Sequence, residues 1–237
     1  MRNKTKKNIY KNKSVLLVSD CTKNTKLPKE FNNLVNSKFK NLDFIKISVL
    51  ITAKFGLINK NRSYENIKKK AKKLFKKQKK KLNIEKDYKI EFVDCSFKKN
   101  LKSCINSIKT SNIVWVMGGD TFYLWYHLKN SKVGNLICNR VKQNKILYVG
   151  CCAGAIVAGE TLNPSYIARF YKKSYKYNLN NVYKQDFWNK INNKKTFKFI
   201  KNKDILPHCK TKKSRVLNMY KNKIKMFCLP EYKPLIK

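Results

Sequence analysis

Short apolar segments alternate with helical segments along most of this chain of 237 residues, and this alternation constrains its fold most strongly. The apolar segments have few polar positions, which is typical of strands buried on both faces of a parallel sheet. The predicted strands lie within residues 15–19, 44–52, 90–93, 113–117 and 146–149, and the predicted helices are 64–82, 99–108, 122–128 and 133–141. We therefore predict an α/β fold with a mainly parallel sheet and helices on both faces.

The length fits one α/β domain spanning residues 1–237, and 42% hydrophobic residues can build its core. One stretch breaks the alternation. Residues 164–203 are rich in Lys, Asn, Tyr and Phe and follow neither helix nor strand periodicity. We predict that this stretch is an irregular insertion within the single domain.

The chain is strongly basic, with 56 Lys and Arg against 13 Asp and Glu and a net charge of +43. Such a charge ordinarily suggests a nucleic acid or an anionic membrane as the partner. Here lysine dominates and is spread along the chain with asparagine, a bias that an A+T-rich genome also produces. Arginine, which specific phosphate and guanine recognition favours, is scarce. We expect no specific nucleic-acid partner, and a basic module that binds RNA or anionic lipid is the alternative.

Cysteine and histidine usage argues against disulfide and metal frameworks. The eight cysteines are scattered without a Cys-x-x-Cys pair, and the chain has two histidines. We predict no disulfide framework and no zinc site. The glycine spacing matches no dinucleotide or phosphate loop, so no cofactor is implied. Neither a signal peptide nor an apolar run of roughly 20 residues is evident, so no membrane span is predicted and a cytoplasmic location is expected.

The segment Gly150-Cys151-Cys152-Ala153-Gly154 follows a predicted strand and has the spacing Gly-x-nucleophile-x-Gly. In a nucleophile elbow the glycines permit a tight strand-to-helix turn, which exposes the central side chain. The following helix N-terminus is expected to lower the pKa of the Cys152 thiol, and the Ala153 N–H is placed to bind an oxyanion. Simple packing of a strand–helix joint competes with this interpretation. Cys151 is the neighbouring candidate, but the symmetric glycine spacing favours Cys152.

A cysteine nucleophile usually needs a base, and two histidines are available. His127 lies within an apolar helical segment, where a structural role is favoured. His208 follows the short apolar segment 205–207 at a predicted strand end, so His208 is the better base. The acid that orients the imidazole stays open among the carboxylates after Cys152, which are Glu160, Asp186, Asp204 and Glu231.

Several blocks together resemble the dipeptidase E (aspartyl dipeptidase) family of serine peptidases. They are LLVSD at 16–20, IVWVMGGDTF at 113–122, YVGCCAGA at 148–155, Pro-His at 207–208 and LPE at 229–231. The resemblance implies a class I glutaminase-like (flavodoxin-like) three-layer fold. It also implies hydrolysis of short peptides, with an N-terminal Asp-X peptide as a candidate substrate.

The resemblance also implies roles for individual residues. Cys152 is the implied nucleophile and His208 the proton shuttle. The implied oxyanion hole consists of Gly118, Gly119 and Ala153. The implied substrate-binding residues are Asp120, Thr121 and Arg215.

The chain departs from the family pattern at three positions. Cys152 stands where the family has serine, and Asp120 replaces the usual asparagine. The position of the family acid, roughly fifteen residues after the elbow, holds Ile167, so Asp186 becomes the nearest later candidate. These departures keep two alternatives open: a catalytically degenerate relative, or a glutaminase-like or redox thiol protein.

Overall fold

The computed structural model describes residues 13–21, 23–57, 63–82, 84, 86–165, 195–209, 225–230 and 234–237. In chain order the elements are β1 (Val15–Val18), α1 (Leu27–Lys38), β2 (Phe44–Leu50), the 3-10 helix η1 (Thr52–Leu57), α2 (Tyr64–Leu82), β3 (Asp87–Val93), α3 (Lys98–Thr110), β4 (Ile113–Val116), α4 (Thr121–Asn130), α5 (Val133–Lys142), β5 (Leu147–Cys151), α6 (Ala153–Ile156), β6 (Lys203–Cys209), β7 (Lys225–Pro230) and β8 (Leu235–Ile236).

The described strands form a six-stranded sheet in the order β3-β2-β4-β5-β1-β8 and a two-stranded sheet of β6 and β7. All pairs in the large sheet are parallel except β1 with β8. The predicted α/β class with a mainly parallel sheet is therefore confirmed. Because parallel strands end at one edge, the turns after β1, β2, β4 and β5 lie side by side.

The large sheet is buried on both faces, because alternate side chains of its central strands enter two different cores. Leu17 and Val114 pack with α3, α4 and α5, whereas Leu16 and Trp115 pack with α1 and α2. The fully buried Trp115 ring lies 5.8 Å from Phe31 of α1 and 5.3 Å from a ring of α2, between ring centroids. The three-layer arrangement follows from these two cores.

The predicted elements match the observed ones closely where periodicity is strong. Helix α2 has the predicted bounds, and its Ile67, Ala71 and Phe75 face the core. Helix α1, the 3-10 helix η1 and strand β8 were not predicted. Helix α1 is rich in Asn and Lys and buries four residues (Leu27, Phe31, Leu34 and Val35), and the two-residue β8 is too short to show a period.

Only residues 164–165 and 195–203 of the predicted insertion are among the described residues. Phe197 and Ile200 are buried in the core, and Lys195 forms a β-bridge with Thr161. The end of this stretch therefore packs on the domain. Its description as an irregular insertion stays a prediction.

The cysteines and the helices bear on two further expectations. Six described cysteines have free thiols, and Cys228 on β7 is disulfide-bonded, a bond that the sequence analysis did not predict. Among the helices that the structure describes, none has the length and apolar character needed to cross a membrane.

Candidate active site

Strand β5 ends in a tight turn that carries Cys152. This residue has φ 50° and ψ −103°, a backbone conformation that non-glycine residues rarely adopt. Its N–H donates to the Val18 carbonyl at the end of β1 (3.0 Å), and α6 begins at the next residue. The turn thus has the strand–turn–helix geometry that a nucleophile elbow requires, with Cys152 at its centre.

Close backbone contacts explain the two glycines of this turn. A Cβ on Gly150 would lie 2.6 Å from the Gly154 carbonyl oxygen, and one on Gly154 would lie 2.4 Å from the Val116 carbonyl oxygen. Both distances are far inside van der Waals contact. The Tyr148 hydroxyl, fully buried, donates to the Gly154 carbonyl oxygen at 2.7 Å. The first turn of α6 is therefore pressed against β4 and held to β5.

His208 lies on β6 and meets Cys152 across the sheet edge. Its Nε2 is 3.3 Å from the Cys152 Sγ, which is hydrogen-bond distance for sulfur. Its backbone N–H donates to the Ser19 hydroxyl just after β1. The structure thus brings together the two residues that the sequence analysis paired, with β1 in contact with both. Ser19 was not predicted to hold His208, because nothing in one sequence shows which strand end faces β6.

The turn after β4 lies directly against Cys152. A Cβ on Gly118 would lie 2.8 Å from the Cys152 Cβ, and one on Gly119 would lie 2.2 Å from the Ala53 carbonyl oxygen. The Ala153 N–H lowers the pKa of the Cys152 thiol. Within the described part of the chain, neither Gly118 nor Gly119 donates its N–H to a backbone carbonyl. Gly118 and Ala153 therefore border the Cys152 thiol, whereas Gly119 packs against Ala53 of η1, and an oxyanion-hole role for the three residues stays a prediction.

Comparison with protein-family models matches residues 56–217, more than half of the chain, to peptidase family S51. The chain belongs to peptidase family S51. This confirms the resemblance to the dipeptidase E family and places the chain among peptidase-type hydrolases.

Two solved structures share the fold of this S51 chain. One, assigned as a peptidase E protein, comes from Listeria monocytogenes EGD-e, with a TM-score of 0.63, 14% sequence identity, and coverage of 95% of this chain and 94% of that one. The other is a peptidase from an acI-B1 Actinobacterium, with a TM-score of 0.62, 17% identity, and coverage of 94% and 82%, respectively. No curated protein matches this chain.

The carboxylate of Asp120, in the turn after β4, caps a helix of this S51 chain. Asp120 is buried, and its Oδ1 accepts the N–H groups of Phe122 (2.9 Å) and Tyr123 (3.0 Å) at the start of α4. A helix N-terminus stabilises a carboxylate, so this charge is compensated locally. Thr121, the first residue of α4, is also buried. Substrate binding by either residue stays a prediction.

The remaining candidates are located as follows. Asp186, Arg215, Glu231 and Ile167 lie outside the described residues. Asp204 accepts the N–H and hydroxyl of Thr161. The Glu160 carboxylate is 2.7 Å from the Lys198 ammonium. No group of three or more His, Cys, Asp and Glu within the described ranges could hold a metal ion.

His127 is placed as a structural residue. It lies on α4 with its ring centroid 4.4 Å from that of Tyr123 and 5.0 Å from that of Tyr126. Burial lowers the pKa of its imidazole, so the ring is neutral over a wider pH range. The placement agrees with the structural role that the apolar helical segment favoured.

The predicted low pKa of the Cys152 thiol is wrong for the structure as described. Burial raises the pKa of Cys152 to about 12, and the negative charges of neighbouring groups add to this shift. The Lys54 ammonium and the Ala153 N–H act in the opposite direction. Helix α6 has only four residues, so the positive end of its dipole lowers the pKa of the thiol by less than burial raises it. At neutral pH the group is therefore a neutral thiol.

The two adjacent cysteines of the elbow differ in their surroundings. Cys151 is buried, and its thiol is hydrogen-bonded to Cys21, in the core on the α1 side of the sheet. Cys152 is partly exposed and faces His208. Of the two thiols, that of Cys152 is the one in contact with His208, and its role as the reactive thiol stays a prediction.

Lys54 on η1 is a charged group near the site that the sequence analysis did not single out. Its ammonium lowers the pKa of the Cys152 thiol, and the carbonyl of the preceding residue, Ala53, accepts the Asp120 N–H (2.8 Å). In a chain with 56 basic residues, no pattern distinguishes this lysine from the rest. Its place near the site becomes evident only from the pairing of β2 with β4 in the sheet.

Alkylation of Cys152 should show the raised pKa directly. With a pKa of about 12, the thiolate fraction is small at neutral pH, so the iodoacetamide rate should rise about tenfold per pH unit from about pH 7 to 10. Peptide-resolved mass spectrometry measures this rate, with free cysteine as the reference that levels off near its ordinary pKa of about 8.5. A rate that is already level near pH 7 would instead indicate a preformed thiolate.

Proposed function

We propose that this chain is a thiol-dependent peptidase of the dipeptidase E type that hydrolyses short peptides with an N-terminal aspartate. Cys152 is the nucleophile and His208 the base. The observation that carries the proposal is the 3.3 Å approach of His208 Nε2 to the Cys152 Sγ, at a residue held in a strained elbow conformation. Membership of an S51 peptidase family supplies the reaction class.

The proposed attack begins from a neutral thiol. Since the pKa of the Cys152 thiol is raised to about 12, His208 Nε2 takes the proton as Sγ bonds to the peptide carbonyl carbon. The carbonyl oxygen becomes an oxyanion, and the N–H groups of Gly118, Gly119 and Ala153 are its proposed donors. This sequence is that of a serine peptidase, with sulfur in place of the hydroxyl oxygen.

The intermediate then collapses to products in two steps. The imidazolium of His208 gives its proton to the leaving nitrogen, the carbon–nitrogen bond breaks, and a thioester with Cys152 remains. Water attacks the thioester as His208 accepts its proton, and the thiol leaves with that proton. No cofactor takes part in this scheme.

The basic groups near the site support an acidic substrate. Lys54 lies close enough to act on the Cys152 thiol, and its ammonium is a proposed partner for the oxyanion or for the substrate carboxylate. Arg215 is the second proposed partner of the substrate carboxylate, by family resemblance. Both proposals predict selection for aspartate over asparagine at the substrate N-terminus.

The test is a panel of dipeptides that differ in one group. Asp-Leu, Asn-Leu, Glu-Leu and Ala-Leu are incubated with the purified chain, and released leucine is measured by liquid chromatography. We expect Asp-Leu to be cleaved with at least about tenfold higher kcat/KM than Asn-Leu, because loss of one charge-assisted contact costs about 1.5–3 kcal/mol. Acid quenching and mass spectrometry should detect an acyl group on the Cys152 peptide.

Two results separate the alternatives. Equal cleavage of Asp-Leu and Asn-Leu would retain the peptidase and reject its acidic specificity. No leucine from any peptide, and no acyl group on Cys152, would reject the enzyme and favour a catalytically degenerate relative.

A further inference from the structure

We propose that Asp20, at the carboxyl end of β1, is the positioning acid of the site and orients the His208 imidazole. This inference rests on the proposed function of His208 as the base. It assigns the third role to a residue before the nucleophile, whereas the sequence analysis sought it after Cys152, where the family acid position holds Ile167. The role needs a carboxylate, because a carboxylate both fixes one imidazole tautomer and stabilises the imidazolium that forms during attack.

Three consecutive residues at the end of β1 border the catalytic pair. The Val18 carbonyl accepts the Cys152 N–H at 3.0 Å, and the Ser19 hydroxyl accepts the His208 N–H. Asp20 follows directly and is partly buried. Its backbone is fixed in turn by the bond from the Asn24 N–H to the Asp20 carbonyl (3.2 Å). One segment thus holds both backbones, and the next residue of that segment carries a carboxylate.

The carboxylate of Asp20 is also electrostatically close to the nucleophile. Its negative charge raises the pKa of the Cys152, Cys151 and Cys21 thiols. For Cys152 this contribution is smaller than that of burial. A negative charge at this place disfavours a free thiolate, which suits a neutral thiol that loses its proton to His208 only during attack.

The other described carboxylates near this edge have partners elsewhere. Asp94 accepts from Thr52 (2.7 Å) and Ser96 (2.8 Å), and Asp120 caps α4. Asp204 accepts from Thr161 and Glu160 pairs with Lys198, as described above. The charged and titratable groups that share the site with Asp20 are Lys54, Cys21, Cys151 and Cys152. None of these four supplies a carboxylate to an imidazole.

The first test measures the His208 tautomer and does not depend on turnover. With ¹⁵N-labelled histidine at about pH 9, where an ordinary imidazole is neutral, NMR distinguishes a protonated Nδ1 from a protonated Nε2. We expect His208 to carry its proton on Nδ1, which leaves the Nε2 lone pair towards Cys152. In Asp20→Asn the preference should be lost, whereas His127, the other histidine, serves as the internal reference. Unchanged His208 ring signals in Asp20→Asn would overturn the proposal.

The second test is kinetic. Asp20→Asn should lower kcat for the best dipeptide by at least about tenfold with little change in KM, since an orienting carboxylate acts on the proton transfer. Asp20→Glu should recover part of the loss. The matched control is Asp43→Asn, an exposed carboxylate before β2 at the opposite edge of the sheet. A kcat of Asp20→Asn within twofold of wild type contradicts the role, whereas an inactive wild type rejects the proposed function and leaves the NMR result to decide on Asp20.

Discussion

His208→Ala is expected to lower kcat for Asp-X dipeptides by about 10³-fold or more, with KM nearly unchanged. The thiol of Cys152 has a pKa raised to about 12, so without a base almost none of it is ionised at neutral pH. Sulfur attack then requires proton transfer to water, which is poorly placed to accept it. The loss should therefore shrink as the pH rises towards 10. Initial rates of leucine release from about pH 6 to 10 measure both effects.

The matched control for this variant is His127→Gln. Its ring packs with Tyr123 and Tyr126 on α4, so its replacement should leave kcat within a few-fold of wild type. Cys152→Ala should remove turnover entirely, and Cys151→Ala should retain it. Circular dichroism and thermal unfolding check that each variant is folded. If His208→Ala retains wild-type kcat at neutral pH, another group is the base and the proposed mechanism is wrong.

The tight turn after β5 was predictable because it requires glycine at two positions, and both glycines are visible in the sequence. Two glycines flank Cys152 at fixed spacing after a strongly apolar strand, and only glycine fits there because a Cβ would lie 2.4 or 2.6 Å from a carbonyl oxygen. The pairing with His208 was predictable because the chain has two histidines and one of them follows an apolar strand. In each case the signal is local along the chain.

What the sequence did not reveal depends on contacts between distant segments. Ser19 contacts His208 across 189 positions of the chain, because β6 lies beside the end of β1. Lys54 reaches the site because β2 pairs with β4. The thiol pKa was predicted in the wrong direction because it depends on burial, which sequence spacing does not measure. Periodicity therefore predicted the layers, and tertiary contacts determine the electrostatics.

The second large effect concerns stability. Gly154→Ala is expected to lower the free energy of unfolding by about 2–4 kcal/mol, as overpacking against rigid backbone does. Its Cβ would lie 2.4 Å from the Val116 carbonyl oxygen and 3.0 Å from the Val116 Cβ, and neither atom belongs to a flexible side-chain end. Helix α6 must move away from β4 to admit the methyl group. Urea unfolding followed by circular dichroism measures the loss.

Gly159→Ala is the graded control, because its Cβ would meet its nearest atoms at 3.1 Å, a few tenths of an ångström too close. In the same urea titration, Gly159→Ala should lower the free energy of unfolding clearly less than Gly154→Ala does. The Gly154 variant should also lose activity beyond its loss of stability, because a displaced α6 moves away the Ala153 N–H, which lowers the pKa of the Cys152 thiol and is a proposed oxyanion donor. Equal unfolding midpoints for the two variants would mean that α6 moves off β4 at little cost. The strained Cys152 conformation would then depend on the Val18 and His208 contacts rather than on the glycine spacing.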